Sequence, residues 1–570
     1  MTDTYHIKLL ANVAFTGLLL LISPVMLTAS QPGVLSRLQN EYEGGKLDRE
    51  QYYLHLAQSV LSPELLPSQY VDDTAVPAKC GTHVMSEIQR EWDTFSPELQ
   101  MMLSALDTRP NTQFQYVSPD GFFRLHYDTV TGGASPPVST EDADSSSVPD
   151  FIENMATYAD SAWRQIVANY GYHTPPSDGT LGGDSLYDLY FDHFQFYGVT
   201  NGDNAGPEPW DDYSSHIVLH HTFLNFPPNQ DADGNQKGSM KVAIAHELYH
   251  AVQFYYDAFM ASWWMECTAV WMEDEVYPAT NDNYNYFDEF WPVPQLSLLD
   301  ESDFQHMYGS FVWPKYLTQN YGIDFPRIVL DSMAKPVSSL MSVLQIVLQS
   351  DGTTLYNSFS DFLHWNYMTG SRANGLYYED ASDYPEIAVL KRHTVLPSLD
   401  NWSLAAPYAL GSNYIEVTND SSHVGLLVFS MDTTYSAQWG MALITLDSAG
   451  VYMFRRATAS EAASKKICVT IHNYQSLVFI LYVKGSSYSG PFVYEYNLYF
   501  RPIGDADGSE AVDIDDVTWL LAYIFSGGPE SIPVEASDAD CSGYIDIDDA
   551  VYLIAYIFAG GPPPCGEGQP

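Results

Sequence analysis

The sequence predicts a multidomain protein in which an α+β body is followed by an all-β sandwich and a small α-helical unit. Three observations lead there. With 570 residues, the chain is long enough for three or four domains. Its texture changes near Leu396, from mixed helix and strand patterns to short β-rich runs. Near Gly504 an internal repeat begins: Asp505–Pro529 and Asp538–Pro562 align without gaps, identical at 16 of 25 positions. Charge narrows the function classes. Lys and Arg total 23 against 72 Asp and Glu, a formal net charge of −49. Phosphate backbones are held by Lys/Arg clusters, so no nucleic-acid partner is expected. Such a surface suits a solvated exported protein or a cation binder.

The elements follow in order. His6 and Lys8 precede an apolar run, Leu9–Leu27, and Thr28, Ala29 and Ser30 are small. Residues 1–30 therefore read as a secretory signal peptide. An uncleaved anchor is the rival, and Pro24 and the polar sequence beyond favour cleavage. No other run is long enough to span a bilayer, so a secreted or cell-surface chain without a membrane span is expected once the signal is removed. Residues 31–110 are helical and polar, with little to build a large core, and read as a prosegment or N-terminal helical region. In 111–395, Phe114–Tyr127 alternates as a strand and Asp150–Tyr170 has helical period behind Pro149. Strand-like stretches follow at Tyr187–Phe191 and His216–His220, then two helix patterns from Gly238 to Tyr277 and more helices to about Asn374. Residues 396–503 hold β-rich runs such as Tyr414–Thr418, Val424–Ser430, Ile467–His472 and Leu477–Val483, the pattern of a sandwich. Residues 504–570 contain the repeat pair.

Chemistry concentrates in His246-Glu247-Leu248-Tyr249-His250. It lies in a helical run whose Val242, Ala245, Leu248, Ala251, Val252 and Tyr255 supply an apolar face. Residues i and i+4 share a helix face, so both imidazoles can reach one zinc ion while Glu247 meets water beside it. A catalytic zinc needs a third protein ligand and an open fourth position. The continuation H-x-x-G-x-x-H is absent. The next candidate is the run Trp263–Asp274, where Glu266 sits among large apolar residues that would make a lone carboxylate costly. Glu273, two turns on, is the fallback.

The run Lys241–Phe254, followed by W-x-x-E-x-x-A-x-W-x-E-D, resembles the secreted bacterial zinc metalloproteases of gluzincin type over roughly residues 70–395. Val148-Pro149-Asp150 and Gly182-Gly183-Asp184 are weaker marks of the same likeness. The resemblance implies a zincin-like α+β peptidase domain at 111–395 with one catalytic zinc on His246, His250 and Glu266. It implies hydrolysis of a protein or peptide substrate by zinc-activated water, with Glu247 as general base. An oxyanion donor is expected from Tyr308, or failing that His306. The rival class is a non-catalytic surface or scaffold-attached protein whose zinc site is vestigial.

Each repeat opens with acids spaced for a calcium loop and continues into a helix. In the first, Asp505, Asp507, Ser509, the Ala511 carbonyl and Asp516 would hold Ca²⁺; in the second, Asp538, Asp540, Ser542, the Tyr544 carbonyl and Asp549. The pair resembles a type I dockerin, which implies a cohesin-like partner. Two departures stand out: Glu510 replaces the usual loop glycine kept at Gly543, and Ile514-Asp515 and Ile547-Asp548 replace a hydroxyl pair. Calcium-loop spacing also occurs in Asp142–Asp150 and in Asp231–Asn235, against the commoner reading of solvated turns. Five cysteines leave at least one without an intramolecular partner. Cys541 and Cys565 could clasp the repeat module. Cys80, in Ala78-Lys79-Cys80-Gly81-Thr82, has three readings: a zinc ligand delivered from the prosegment, a disulfide to Cys267, or a buried free thiol.

Overall fold

The computed structural model describes residues 33–71, 78–302, 304–335, 339–396, 398–401, 405–418, 425–433, 438–471, 474–531, 534–540 and 542–564. The signal segment and the Cys541–Cys565 clasp lie outside these residues.

The N-terminal region comprises α1 (Val34–Glu43), α2 (Arg49–Leu61), the short strand β1 (Ala78–Cys80), α3 (Thr82–Arg90) and α4 (Pro97–Leu106). Asp48 caps α2 through a reciprocal box with Gln51, and Ser96 caps α4 just ahead of Pro97. This region does build a core, contrary to expectation. Leu38, Leu56, Val60, Val84, Ile88 and Leu103 close on Phe194, Phe196 and Val199. Its apolar residues are too dispersed to read as a core; they become one by borrowing a sheet face.

That sheet is formed by β1 with β2 (Phe114–Val117), β3 (Phe123–Tyr127), β4 (Tyr187–Asp192), β5 (Phe196–Ala205) and β6 (Tyr213–His220), in the order β1-β5-β6-β4-β3-β2. The run Phe114–Tyr127 is a hairpin rather than one strand. β5 runs antiparallel to β6, and β1 pairs in parallel along the outer edge of β5. On β6 the side chains alternate: Ile217 and Leu219 join the main core, while Val218 packs against the N-terminal helices.

Across the main-core face lie α5 (Asp150–Trp163) and α6 (Asn235–Tyr256), and α7 (Ser262–Val276) packs against α6. Both α6 and α7 are buried almost all round, so neither has a polar stripe. The shell continues with α8 (Phe304–Gly309), α9 (Val312–Tyr321), α10 (Phe325–Met333), α11 (Leu340–Ser350) and α12 (Leu355–Tyr367).

Two further sheets follow, from β7 (Lys391–His393), β8 (Ser398–Asn401), β9 (Ser412–Thr418), β10 (Gly425–Asp432), β11 (Gln438–Asp447), β12 (Tyr452–Arg456), β13 (Lys466–Ile471), β14 (Tyr474–Lys484) and β15 (Glu495–Arg501), with the short α13 (Ala459–Ser464) between β12 and β13. Their orders are β13-β10-β15-β8 and β12-β11-β14-β9-β7. Period two explains the unbroken apolar run of β14. Leu477, Phe479 and Leu481 pack with β10 and β15, whereas Val478, Ile480 and Tyr482 belong to the main core with α12. The five-stranded sheet is therefore covered on both faces, and the β-rich region is docked onto the α+β body. The chain ends in α14 (Ile514–Ser526) and α15 (Ile547–Ala559), each opened by an Asp capping box and closed by a left-handed glycine, around a small core of Val517, Leu520, Ala550 and Leu553. Overall this is a multidomain α+β protein. No helix among the described residues is long and apolar enough to cross a membrane.

Candidate metal centre

α6 presents His246 and His250 one turn apart, and α7 crosses it carrying Glu266. His250 Nε2 lies 3.0 Å from His246 Nε2, and Glu266 Oε2 lies 3.2 Å from His246 Nε2 and 3.6 Å from His250 Nε2. Ligands about 2.0–2.1 Å from a shared tetrahedral zinc stand about 3.3 Å apart, so this triangle fits such an ion. The tautomers agree. His246 Nδ1 meets Glu273 Oε1 at 2.7 Å and His250 Nδ1 meets Gln253 Oε1 at 2.7 Å, which aims both Nε2 atoms inward. Glu273 is thus the outer partner of His246 rather than a member of the triangle.

Buried charge makes the same demand. Glu247, Glu266, Glu273 and Asp282 are all at most 1% exposed, and Lys79 is the buried ammonium among them, 2.7 Å from Glu273 Oε2 and 2.5 Å from Asp282 Oδ2. Carboxylates in a dry interior need cations. Without a metal, burial alone would lower His246, but Glu266 and Glu273 raise it to about 9. A proton then does part of a cation's work. Burial would raise Glu266, yet the two imidazoles hold it well below the carboxylate range.

Glu247, next to His246 on α6, reaches toward β5 and the start of α3. Its Oε2 accepts from Thr82 Oγ1 at 2.9 Å and Thr200 Oγ1 at 2.8 Å, while buried Oε1 has no hydrogen-bond partner. The β5 backbone fixes this arrangement, because Thr200 N donates to Thr82 Oγ1 at 2.7 Å. Gly198 on β5 allows it, since a Cβ there would sit 2.6 Å from Glu247 Cγ. Tyr308 is fully buried beside His246, and its hydroxyl is 3.2 Å from the Cys80 amide and 3.3 Å from its carbonyl. His306 is turned elsewhere, to the Glu289 carbonyl at 2.7 Å and the ring of Phe290.

Cys80 belongs to the cluster. Its sulfur and the ligand atoms of His246, His250 and Glu266 all lie within 4.8 Å of one another. Burial first, then Glu247 and Glu266, push its thiol well above the usual range. Cys80 and Cys267 are both free, so no disulfide joins them. Gly81 packs against Val60, 2.7 Å from where its Cβ would be, and its close approach is to that side chain rather than to the metal group. Lys79, Thr82, Gly198 and Thr200 reach the motif from distant segments that no spacing in the sequence pairs with it, whereas the sequence itself offers Cys80 as a candidate ligand and Gln253 and Glu273 lie near the motif in the chain.

Among the acidic loops, Asp505, Asp507 and Asp516 converge, as do Asp538, Asp540 and Asp549, and Asp142, Asp144 and Asp150. Ser509 and Ser542 turn their hydroxyls onto the carbonyls of Ala511 and Tyr544. Asp231–Asn235 is different. Lys241 Nζ sits 2.9 Å from Asp231 and 2.8 Å from Asp233, which puts an ammonium where a calcium ion would otherwise go.

Residues 185–486, slightly more than half of the chain, match DUF6055, a family of unknown function. The chain belongs to the DUF6055 family. The family match spans His246, Glu247, His250, Glu266 and Tyr308 but neither Cys80 nor the terminal repeats. No curated protein matches the chain. Among solved structures, the Yersinia pseudotuberculosis-derived mitogen is 13% identical over 20% of this chain and 94% of its own, with a TM-score of 0.14. A family GH115 4-O-methyl-α-glucuronidase is 9% identical over 58% of this chain and 54% of its own, with a TM-score of 0.08. Likeness this slight bears on neither fold nor function.

Proposed function

We propose that this DUF6055 protein is an exported zinc-dependent peptidase of gluzincin type, with a zincin-like body and a calcium-binding, dockerin-like attachment module. The observation that carries the reading is the triangle of His246, His250 and Glu266 with the unpartnered oxygen of Glu247 beside it. A zinc ion held by those three residues would supply Lewis acidity, polarising a carbonyl and easing deprotonation of water. The chain's own groups do the rest. Glu247 takes the proton of the attacking water on Oε1 and passes it to the leaving amine, while Thr200 on β5 keeps Oε2 fixed. Tyr308, whose hydroxyl already bonds main-chain polar atoms at the site, donates to the oxygen on which charge develops. Glu273 holds His246 in the tautomer that ligates. At the C-terminus the two converging acid sets would each take one Ca²⁺, with a cohesin-like protein as the module's partner.

Metal analysis of the purified protein, with casein hydrolysis by wild type and Glu247→Gln, tests the reading. One zinc per chain in both proteins, with hydrolysis lost only in the variant, is expected. A chain that binds no zinc after reloading refutes it.

A further inference from the structure

We propose that residues 79–83 are an internal strap lying in the peptide groove along β5, with the Cys80 sulfur as fourth ligand of the metal, and that the strapped chain is latent. This rests on the peptidase reading above. Every group given a task there already has its partner in this pentapeptide. The Cys80 sulfur completes the cluster of His246, His250 and Glu266, and it accepts the Thr82 amide at 3.2 Å. Tyr308 is held by the Cys80 main chain, Glu247 by Thr82, and the second oxygen of Glu266 by His83 Nδ1 at 3.1 Å. Lys79 anchors the strap through Glu273 and Asp282, its ammonium 4.3 Å from the centre of the Tyr197 ring.

The main chain points the same way. An extended peptide adds to a sheet through the unpaired edge of its outer strand. Here β1 uses that edge of β5: Ala78 pairs with Phe196 and Cys80 with Gly198, and the Gly81 amide donates to the Gly198 carbonyl at 3.1 Å. A site with four protein ligands is closed, whereas catalysis needs one position open. A purely structural metal would have no use for Glu247, whose unpartnered buried oxygen is costly. Binding the metal through Cys80 forms one metal–sulfur bond and releases the thiol proton to solvent. Withdrawal of the strap breaks that bond, and the sulfur takes a proton back.

The full chain, stripped with a chelator and reloaded with cobalt(II) in excess calcium, tests this in wild type, Cys80→Ser and Cys80→Ala. Wild type should show a thiolate-to-cobalt charge-transfer band in the near ultraviolet. Both variants should retain one cobalt and its visible bands but lose the charge-transfer band. Reloaded with zinc, they should hydrolyse denatured casein faster than wild type, on the order of tenfold or more, as expected when a closed population is opened. Bound cobalt without the charge-transfer band in wild type overturns the ligand assignment while leaving the peptidase reading intact. Wild type that retains no cobalt overturns both. Variants no more active than wild type overturn the latency.

Discussion

Gly198→Ala probes how closely β5 and α6 must approach for Glu247 to sit beside the metal triangle. The added Cβ would lie 2.6 Å from Glu247 Cγ, 3.0 Å from its Oε1 and 3.0 Å from Leu219 Cδ2. To regain ordinary contact at 3.4 Å, the glutamate must retreat by about 0.8 Å. Leu219 and Glu247 are both fully buried, so neither can swing away into solvent. Overpacking of this kind costs about 1–3 kcal/mol of stability. Displacing a reacting group by nearly 1 Å costs on the order of 100-fold in rate. Metal content should not change, because the atoms nearest the new methyl group belong to Glu247 and Leu219 and to none of His246, His250 and Glu266. The assay is best run in the Cys80→Ala background, with zinc by atomic emission, melting by near-ultraviolet circular dichroism, and casein hydrolysis. A variant that melts and hydrolyses like its parent would refute the claim that this glycine positions Glu247.

Other expectations follow from the same geometry. Glu266→Ala and His250→Ala should lose both zinc and activity, whereas Glu247→Gln should lose only activity; full metal occupancy in Glu266→Ala would remove it from the ligand set. Glu510, at φ 69°, occupies the left-handed region that Gly543 fills in the second loop at φ 83°. Glu510→Gly should therefore tighten the first calcium site by up to about 1 kcal/mol, read by calorimetric titration, and weaker binding would contradict it. In a chelator, burial first and then its neighbours Asp507 and Asp505 raise Asp516 to about 6, and Asp538 and Asp549 shift the same way. A carboxyl whose folded value lies above its unfolded value favours folding when protonated, so that stability is lost as pH rises from about 4 to about 6. The chelated segment 501–570 should accordingly melt higher at pH 5 than at pH 7, and the order should reverse in saturating calcium, with thermal circular dichroism as the measure.

What the sequence determined by itself is what local geometry determines. The i, i+4 spacing of His246 and His250 puts both rings on one face of any helix that forms there, and a carboxylate as buried as Glu266 has to meet a cation. The 33-residue repeat, with its capped helices, and the period-two strands likewise depend on nearest neighbours along the chain. Which distant groups meet is decided by the fold, and the sequence offers at most candidates such as Cys80 and Tyr308. Asp231 and Asp233 have calcium-loop spacing, yet Lys241, nearly two turns into α6, supplies their cation. Residues 31–110 look too polar for a core until the face of β5 covers them. Glu273 became the partner of His246 because α7 crosses α6 at an angle that only packing sets. Cys80 reaches the cluster because β1 pairs with β5, across more than a hundred residues of intervening chain. Strand pairing between remote segments leaves no period in a sequence, because a strand's own pattern records which face is buried and never which strand lies beside it.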